Sequence, residues 1–310
     1  MPKMDAESLM PPISQVPPFL STFLEQLLNG VTIGVIYSLM GVGLNLIFGM
    51  MSIVNFAHGE CYMIGAYIFY VFSMFMGLNP LLAMLLAVVV SFGVGIVIER
   101  TVLRPIYKLE RVDAVMYSCY VTFGLEPFLE NLALLLFGPF NRKPPVLTTG
   151  SVNIFGLVYS AERLVAFAIG VVVIFAVFYT LRRSVFGRAV RAIVQNRDAA
   201  QLMGINVQSM NMIGFGIGIA LTAVAGMLLT PIFVLYPAAG RIPGGKAFTV
   251  VIVGGLGSVE GAAIAGLLLG LAETFGAWGF GLGLGRWRDV FGYIIMLIVM
   301  VLRPKGIRGK

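Results

Sequence analysis

The sequence predicts an all-α polytopic transmembrane helical bundle of about eight to nine crossings, at least one of them made by a broken or short helix. Three observations carry that prediction. Of the 310 residues, 59% are hydrophobic and 11% charged, against about 45–50% and about 25% in an ordinary soluble domain. A fold in water would leave large apolar patches uncovered. Successive apolar runs approach the roughly 20 residues with which a helix crosses a hydrocarbon core, and the basic side chains are gathered in short segments between those runs.

The elements follow in order. Residues 1–18 carry one Lys against Asp5 and Glu7 and five prolines. With neither a basic start nor an apolar middle, this is not a cleaved signal, and it reads as a mobile tail. Apolar runs bounded by polar or Gly/Pro punctuation place spans near 24–49, 53–76, 81–98, 113–137, 164–181 and 211–234. Beyond them lie three runs of unequal length, 247–257, 261–280 and 290–302. Segments 99–112, 182–197 and 303–310 hold four, five and four of the 21 basic residues, so all three face the cytoplasm by the positive-inside rule. That threading starts the chain outside, leaves 235–246 outside, and needs three further crossings to reach the basic tail. The run 247–257 reaches only about 16 Å as a helix. A discontinuous helix near 254–258 follows, tolerated where it is buried in protein or lines a wet cavity.

The net charge of +7 reflects this topology and not a nucleic-acid-binding face. No polar stretch is long enough to fold as a separate catalytic domain. Gly30/Gly34, Gly214/Gly218 and Gly266/Gly270 are small-xxx-small pairs that let helix backbones approach closely. Interruptions at 55–59 and 254–258 sit in opposite halves, a weak sign of an inverted repeat.

Asn55-Phe56-Ala57-His58-Gly59-Glu60 brings an amide, the sole histidine and a carboxylate to the start of an apolar run. Ionisable groups at membrane depth are costly and face a pathway or the protein interior. Two readings stand open: a lining or gating element with a helix break, or a turn at the cytoplasmic interface that caps a helix. One histidine, with Cys61 and Cys119 at no paired spacing, supplies neither a zinc set nor a disulfide framework. No metal or cofactor is expected. Gly124-Leu125-Glu126-Pro127 interrupts the fourth run, and Glu126 and Glu130 lie one turn apart. They form a polar lining or proton relay, or they sit near the outer surface, which is the favoured reading. Gly240 to Lys246 meets the spacing of a phosphate-binding loop, but Ala247 stands where a Ser/Thr should ligate magnesium and Pro243 stiffens the loop. The chain should not hydrolyse nucleotide itself. The path candidates are therefore Asn55, His58, Gly59, Glu60, Glu126, Gly254, Gly255, Gly257 and Ser258. Between Asp198 at its start and Gly204 at its stop, 198–203 reads as a short capped helix shown to the cytosol. Its occupant is a protein groove or anionic lipid, and Ala199, Ala200, Leu202 and Met203 favour the groove.

As an ordered set, Asn55 to Glu60, Met63-Ile64-Gly65-Ala66-Tyr67, Gly187-Arg188, Arg191-Ala192, Ala199-Ala200, Met203-Gly204-Ile205, Lys246-Ala247-Phe248, Gly254 to Ser258 and Gly261-Ala262 resemble the inner-membrane permeases of branched-chain amino acid ABC importers. The likeness runs from about 25 to 306. It implies a multi-pass protein of the bacterial inner membrane, with a permease domain over 19–304 and a basic cytoplasmic tail over 305–310. It also implies a second homologous permease, two cytoplasmic ATP-binding subunits and an extracytoplasmic amino-acid-binding protein, and no enzymatic activity in this chain. The coupling element would be 196–205, with Asp198, Ala199, Ala200, Leu202, Met203, Gly204 and Ile205 in an ATPase groove. Loops 138–162 and 235–246 would receive the binding protein. Gln195-Asn196 stands where the family usually carries acidic residues, and Glu260 where a proline is frequent. Relatives for urea and short amides belong to the same family. The rival from another class is a self-sufficient channel or proton-coupled carrier using His58, Glu60 and Glu126. The path itself is expected to have an all-apolar lining with few polar contacts, suited to transient passage.

Overall fold

The computed structural model describes residues 18–109, 111–154, 157–279 and 284–309; the last residue and all but Pro18 of the tail expected over 1–18 lie outside them. Helix α1 (Pro18–Met51) leads to α2 (His58–Tyr70), which runs on as a π-helical turn over Val71–Phe75. Next come α3 (Pro80–Ile98) and α4 (Arg111–Phe137), then strands β1 (Ser151–Ile154) and β2 (Leu157–Ser160). Helices α5 (Ala161–Arg183), α6 (Val185–Gln195), α7 (Arg197–Leu202) and α8 (Val207–Leu229) follow. The chain closes with α9 (Arg241–Gly254), α10 (Val259–Trp278) and α11 (Arg288–Leu302). The strands pair antiparallel with Ser151 opposite Ser160, the one sheet among the described residues.

Helix starts are written in side chains that satisfy the orphan amides of a first turn. Asn79 accepts from the Leu81 amide at 3.0 Å ahead of Pro80. Ser184, Asn206 and Ser258 do the same for Gly187, Ser209 and Gly261 at 3.0, 3.0 and 3.1 Å.

The centre of the molecule is an antiparallel pair, α1 against α10, with α8 crossing α1. Gly34 faces the backbone of Leu267, Gly270 faces Gly34, and Gly266 faces Ser38, whose hydroxyl donates to the Ala263 carbonyl at 2.8 Å. Gly218 of α8 meets Gly43 of α1, and Gly214 meets Met50. The small-residue pairs thus serve close packing within one chain. Of the most apolar stretch, 83% is buried in α1 and α8 but 17% in α4 and α5, so the first two form the core and the last two an exposed rim. The protein is an all-α, multi-pass membrane protein.

Among the described residues six helices are long and apolar enough to cross a membrane: 19–51, 80–108, 112–137, 161–183, 207–229 and 259–278. The set differs from the six expected. The run 53–76 is not one helix, because Ser52 takes φ +55° and 52–57 leaves the helical path before α2 starts at His58. Pro127 does not interrupt α4, which continues through it to Phe137. Nor is 235–246 an open loop: Leu235, Ala239 and Gly240 are buried, and Lys246 is enclosed within α9. Residues after α11 fold back onto the end of α9, where the Ile307 and Arg308 amides donate to the Val253 and Gly254 carbonyls at 2.9 and 3.1 Å.

Candidate functional site

The polar groups fall at four places. At the first, the non-helical 52–57 brings His58 into the middle of the bundle. Its hydrogen bonds are made by a neighbouring helix: the Thr122 hydroxyl of α4 contacts the Val54 carbonyl at 3.3 Å and accepts from the Phe56 amide at 3.1 Å. His58 is fully buried, with Nε2 at 3.1 Å from the Met40 carbonyl and 2.6 Å from the Thr222 hydroxyl. Because that hydroxyl lies 3.0 Å from the Gly218 carbonyl and donates there, the network assigns the ring hydrogen to Nε2. Gly59 packs on Gly240 and Gly244, so the starts of α2 and α9 meet; a Cβ on Gly59 would come within 2.9 Å of the Gly244 Cα.

Next to this contact three carboxylates share one arginine. Arg241 pairs with Glu130 at 2.7 Å. Glu60 is 1% exposed, neither of its oxygens has a hydrogen-bond partner among the described residues, and it feels Glu130, Glu126 and Arg241 electrostatically. Glu60 and Glu126, which the sequence could only name separately, belong to one neighbourhood. Glu126 and Glu130 are both half-buried.

The third place is the interruption after α9. Gly255 and Gly257 take φ +99° and +80°, values that a residue with a Cβ rarely adopts. Asn45, fully buried on α1, satisfies the exposed backbone: its amide donates to the Gly255 and Ser258 carbonyls at 3.0 and 2.8 Å, and its oxygen accepts from the Gly257 amide at 2.7 Å. Gly254 is packed against Gly261. Gly254, Gly255, Gly257 and Ser258 are thus gathered around Asn45. They are separated from Gly59 by the length of α9, about 15 Å from Gly244 to Gly254 at 1.5 Å per residue.

The fourth is α7. Its cap is Asn196 and not Asp198: the Asn196 oxygen accepts from the Ala199 amide at 3.0 Å, and the helix begins one residue early. Asp198 sits in the first turn, where a negative charge suits the helix dipole. Ala200 is buried and anchors the helix, Asp198 and Ala199 are exposed, and Ile205 is half-buried. Leu202 and Met203 are 89% and 82% exposed, and Gly204 reverses the chain at φ +83°. A cleft of about 630 Å³ lies beside it, bordered by Gly49, Tyr107, Asn196, Arg197 and Gln201.

A further cluster was not read from the sequence. Lys246, 1% exposed on α9, pairs with Glu273 of α10 and, at 2.9 Å, with Asp289 of α11. Tyr37 donates to Glu273 at 3.0 Å, and the Arg288 Nε lies 3.5 Å from the same carboxylate. A glutamate in the middle of the apolar run 261–280 was the available signal; placing Lys246 in an outer loop hid its partner.

A family profile described as branched-chain amino acid transport system / permease component matches residues 26–300. The chain belongs to this family. Among branched-chain permeases, it is 35% identical over 302 residues to the high-affinity branched-chain amino acid transport system permease protein BraD of Pseudomonas aeruginosa, covering 93% of this chain and 96% of BraD. LivH of Escherichia coli, named for the same kind of system, is 32% identical with the same coverage. LivM of Escherichia coli, a second permease protein so named, is 26% identical over 310 residues, or 89% of this chain and 68% of LivM. Among solved structures, PsaBC from Streptococcus pneumoniae in complex with Fab has a TM-score of 0.49 and 12% identity over 93% of this chain and 96% of that one, too slight a likeness to add to the assignment.

Proposed function

We propose that this chain is the membrane-spanning permease subunit of an ATP-driven importer for branched-chain or similar apolar amino acids in a bacterial inner membrane. The observation that carries the reading beyond the family is α7. Leu202 and Met203 stand 89% and 82% exposed on a capped helix that follows the densest group of arginines in the chain, and an exposed apolar tip on a polar segment is the signature of a docking surface. On this reading residues 196–205 sit in a groove of a cytoplasmic ATP-binding subunit. Two such subunits, a second homologous permease and an extracytoplasmic amino-acid-binding protein complete the machine. ATP is hydrolysed by the partners and no covalent chemistry occurs here. Nine crossings place all three basic segments on one side: α1 outside to inside, α2 and its π-helical turn back out, then α3, α4, α5 and α8, with α9, α10 and α11 completing the count. Residues 19–304 form the permease domain and 305–310 its basic cytoplasmic end.

The family's urea and short-amide members remain the alternative cargo class. Competition for uptake by unlabelled leucine against urea separates the two. One observation favours a second reading, a self-sufficient proton-coupled carrier: Glu60 is buried without a hydrogen-bond partner among the described residues, next to Glu126, Glu130 and Arg241. Reconstitution separates these. The importer takes up leucine with ATP and all partners and ignores a protonophore, whereas the carrier works alone and is collapsed by one.

A further inference from the structure

We infer that a chamber beside the Lys246 cluster holds one α-amino acid as its zwitterion, with Arg288 receiving the carboxylate and Asp289 the ammonium group. The inference rests on the importer reading and adds where within this chain the cargo is held.

The chamber encloses about 410 Å³, and its lining includes Tyr37, Tyr62 and Leu229 together with Lys246, Arg288 and Asp289. That volume falls within the range of small-molecule sites, about 300–1,000 Å³. Glu273 lies five residues before the end of α10 at Trp278, and Arg288 and Asp289 open the first turn of α11, so the cluster gathers where these two helices are joined. Lys246 and Glu273 are nonetheless 1% and 0% exposed, and burying a charge is costly. A buried ion pair adds little net stability over well-packed apolar residues, so packing alone does not account for four charged residues here.

Their arrangement separates fixed charges from available ones. Glu273, wholly buried, is held by Lys246 and Tyr37. Asp289 meets Lys246 through one oxygen, and its side chain is 54% exposed. Arg288 keeps Nη2 buried with no hydrogen-bond partner among the described residues, and a guanidinium fork with spare donors is suited to a carboxylate. Lys246 and Arg288 balance Glu273 and Asp289. A net-neutral site built on a buried pair accepts a net-neutral ligand by exchanging partners, whereas a cationic or anionic ligand would leave an uncompensated charge. The tyrosine and leucine walls provide for an aliphatic side chain. On this reading one wall of the site is polar, where the sequence suggests an all-apolar path.

A second cavity of about 320 Å³, bordered by Asn29, Thr32, Arg163 and Trp278, shares Phe233 and Arg288 with the chamber. The Arg288 guanidinium carbon lies 5.9 Å from the Phe233 ring centroid, so this pair is the partition between the two.

The test uses the full-length chain in lipid nanodiscs, titrated with leucine, with leucinamide, which lacks the carboxylate, and with isocaproate, which lacks the ammonium group. The readout is the emission of its two tryptophans, Trp278 and Trp287; one borders the second cavity and the other precedes Arg288. The wild type should bind leucine saturably and at least tenfold more tightly than either analogue. R288Q should weaken leucine at least tenfold and erase its preference over leucinamide while keeping the preference over isocaproate; D289N should do the converse. R288K, which keeps the charge but loses the fork, provides the comparison should R288Q fail to fold. Absence of saturable binding to the wild type, or unchanged preferences in the variants, overturns the inference. ATP-driven uptake by the assembled transporter is measured in parallel. Uptake without binding sinks the site and leaves the importer reading standing, and binding without uptake sinks the importer reading and leaves the site.

Discussion

Replacing the tip of α7 by L202S/M203S removes two side chains that are 89% and 82% exposed in this chain. If docking buries them, each contributes about 1.5–3 kcal/mol, so the pair contributes at least about 3 kcal/mol. At about 1.4 kcal/mol per tenfold change, the double variant should bind purified ATP-binding subunits at least about a hundredfold more weakly. The assay is a titration of those subunits onto permease in nanodiscs, followed by ATP-driven leucine uptake. Because both side chains are exposed while the anchor Ala200 is untouched, thermal stability of the permease should stay within about 0.5 kcal/mol, as for ordinary surface changes. An unchanged affinity would refute the reasoning that these two side chains are a docking tip, whatever happened to uptake.

Asn45→Ala removes three hydrogen bonds from the 255–258 interruption. At about 1 kcal/mol each, it should cost about 3 kcal/mol and lower the melting temperature in detergent; an unshifted melt would show that the break holds itself. Gly266→Leu forces a side chain into the backbone of Ser38 and should destabilise by about 1–3 kcal/mol or more, whereas Gly285→Ala, with open space around it, should be nearly silent in the same melt. Lys246→Met strands Glu273 and should cost about 3–5 kcal/mol, while K246M/E273M should recover at least half. A double variant no more stable than the single one contradicts the pairing.

The class of the fold was legible because hydropathy measures what a bilayer selects: long apolar runs, and basic residues left between them. The short helix α7 was legible from the polar residue and the glycine that flank it, although its cap fell on Asn196 and not on Asp198. Hydropathy does not register backbone conformation. It therefore could not show that Ser52 turns the chain out of the helix or that a threonine on α4 supplies the missing hydrogen bonds to 54–56. It also could not show that proline leaves α4 continuous. Asn45 drew no notice in the sequence because its partners lie more than 200 residues away. For the same reason Lys246, read as part of a loop, concealed the cluster with Glu273 and Asp289, a contact among three helices that no local pattern encodes.

Reconstitution into proteoliposomes tests the central claim most directly. This chain together with a second permease, two ATP-binding subunits and an amino-acid-binding protein should accumulate labelled leucine only when ATP is supplied, and this chain by itself should accumulate none. Concentrative uptake by the isolated chain, driven by a proton gradient and indifferent to ATP, would contradict it.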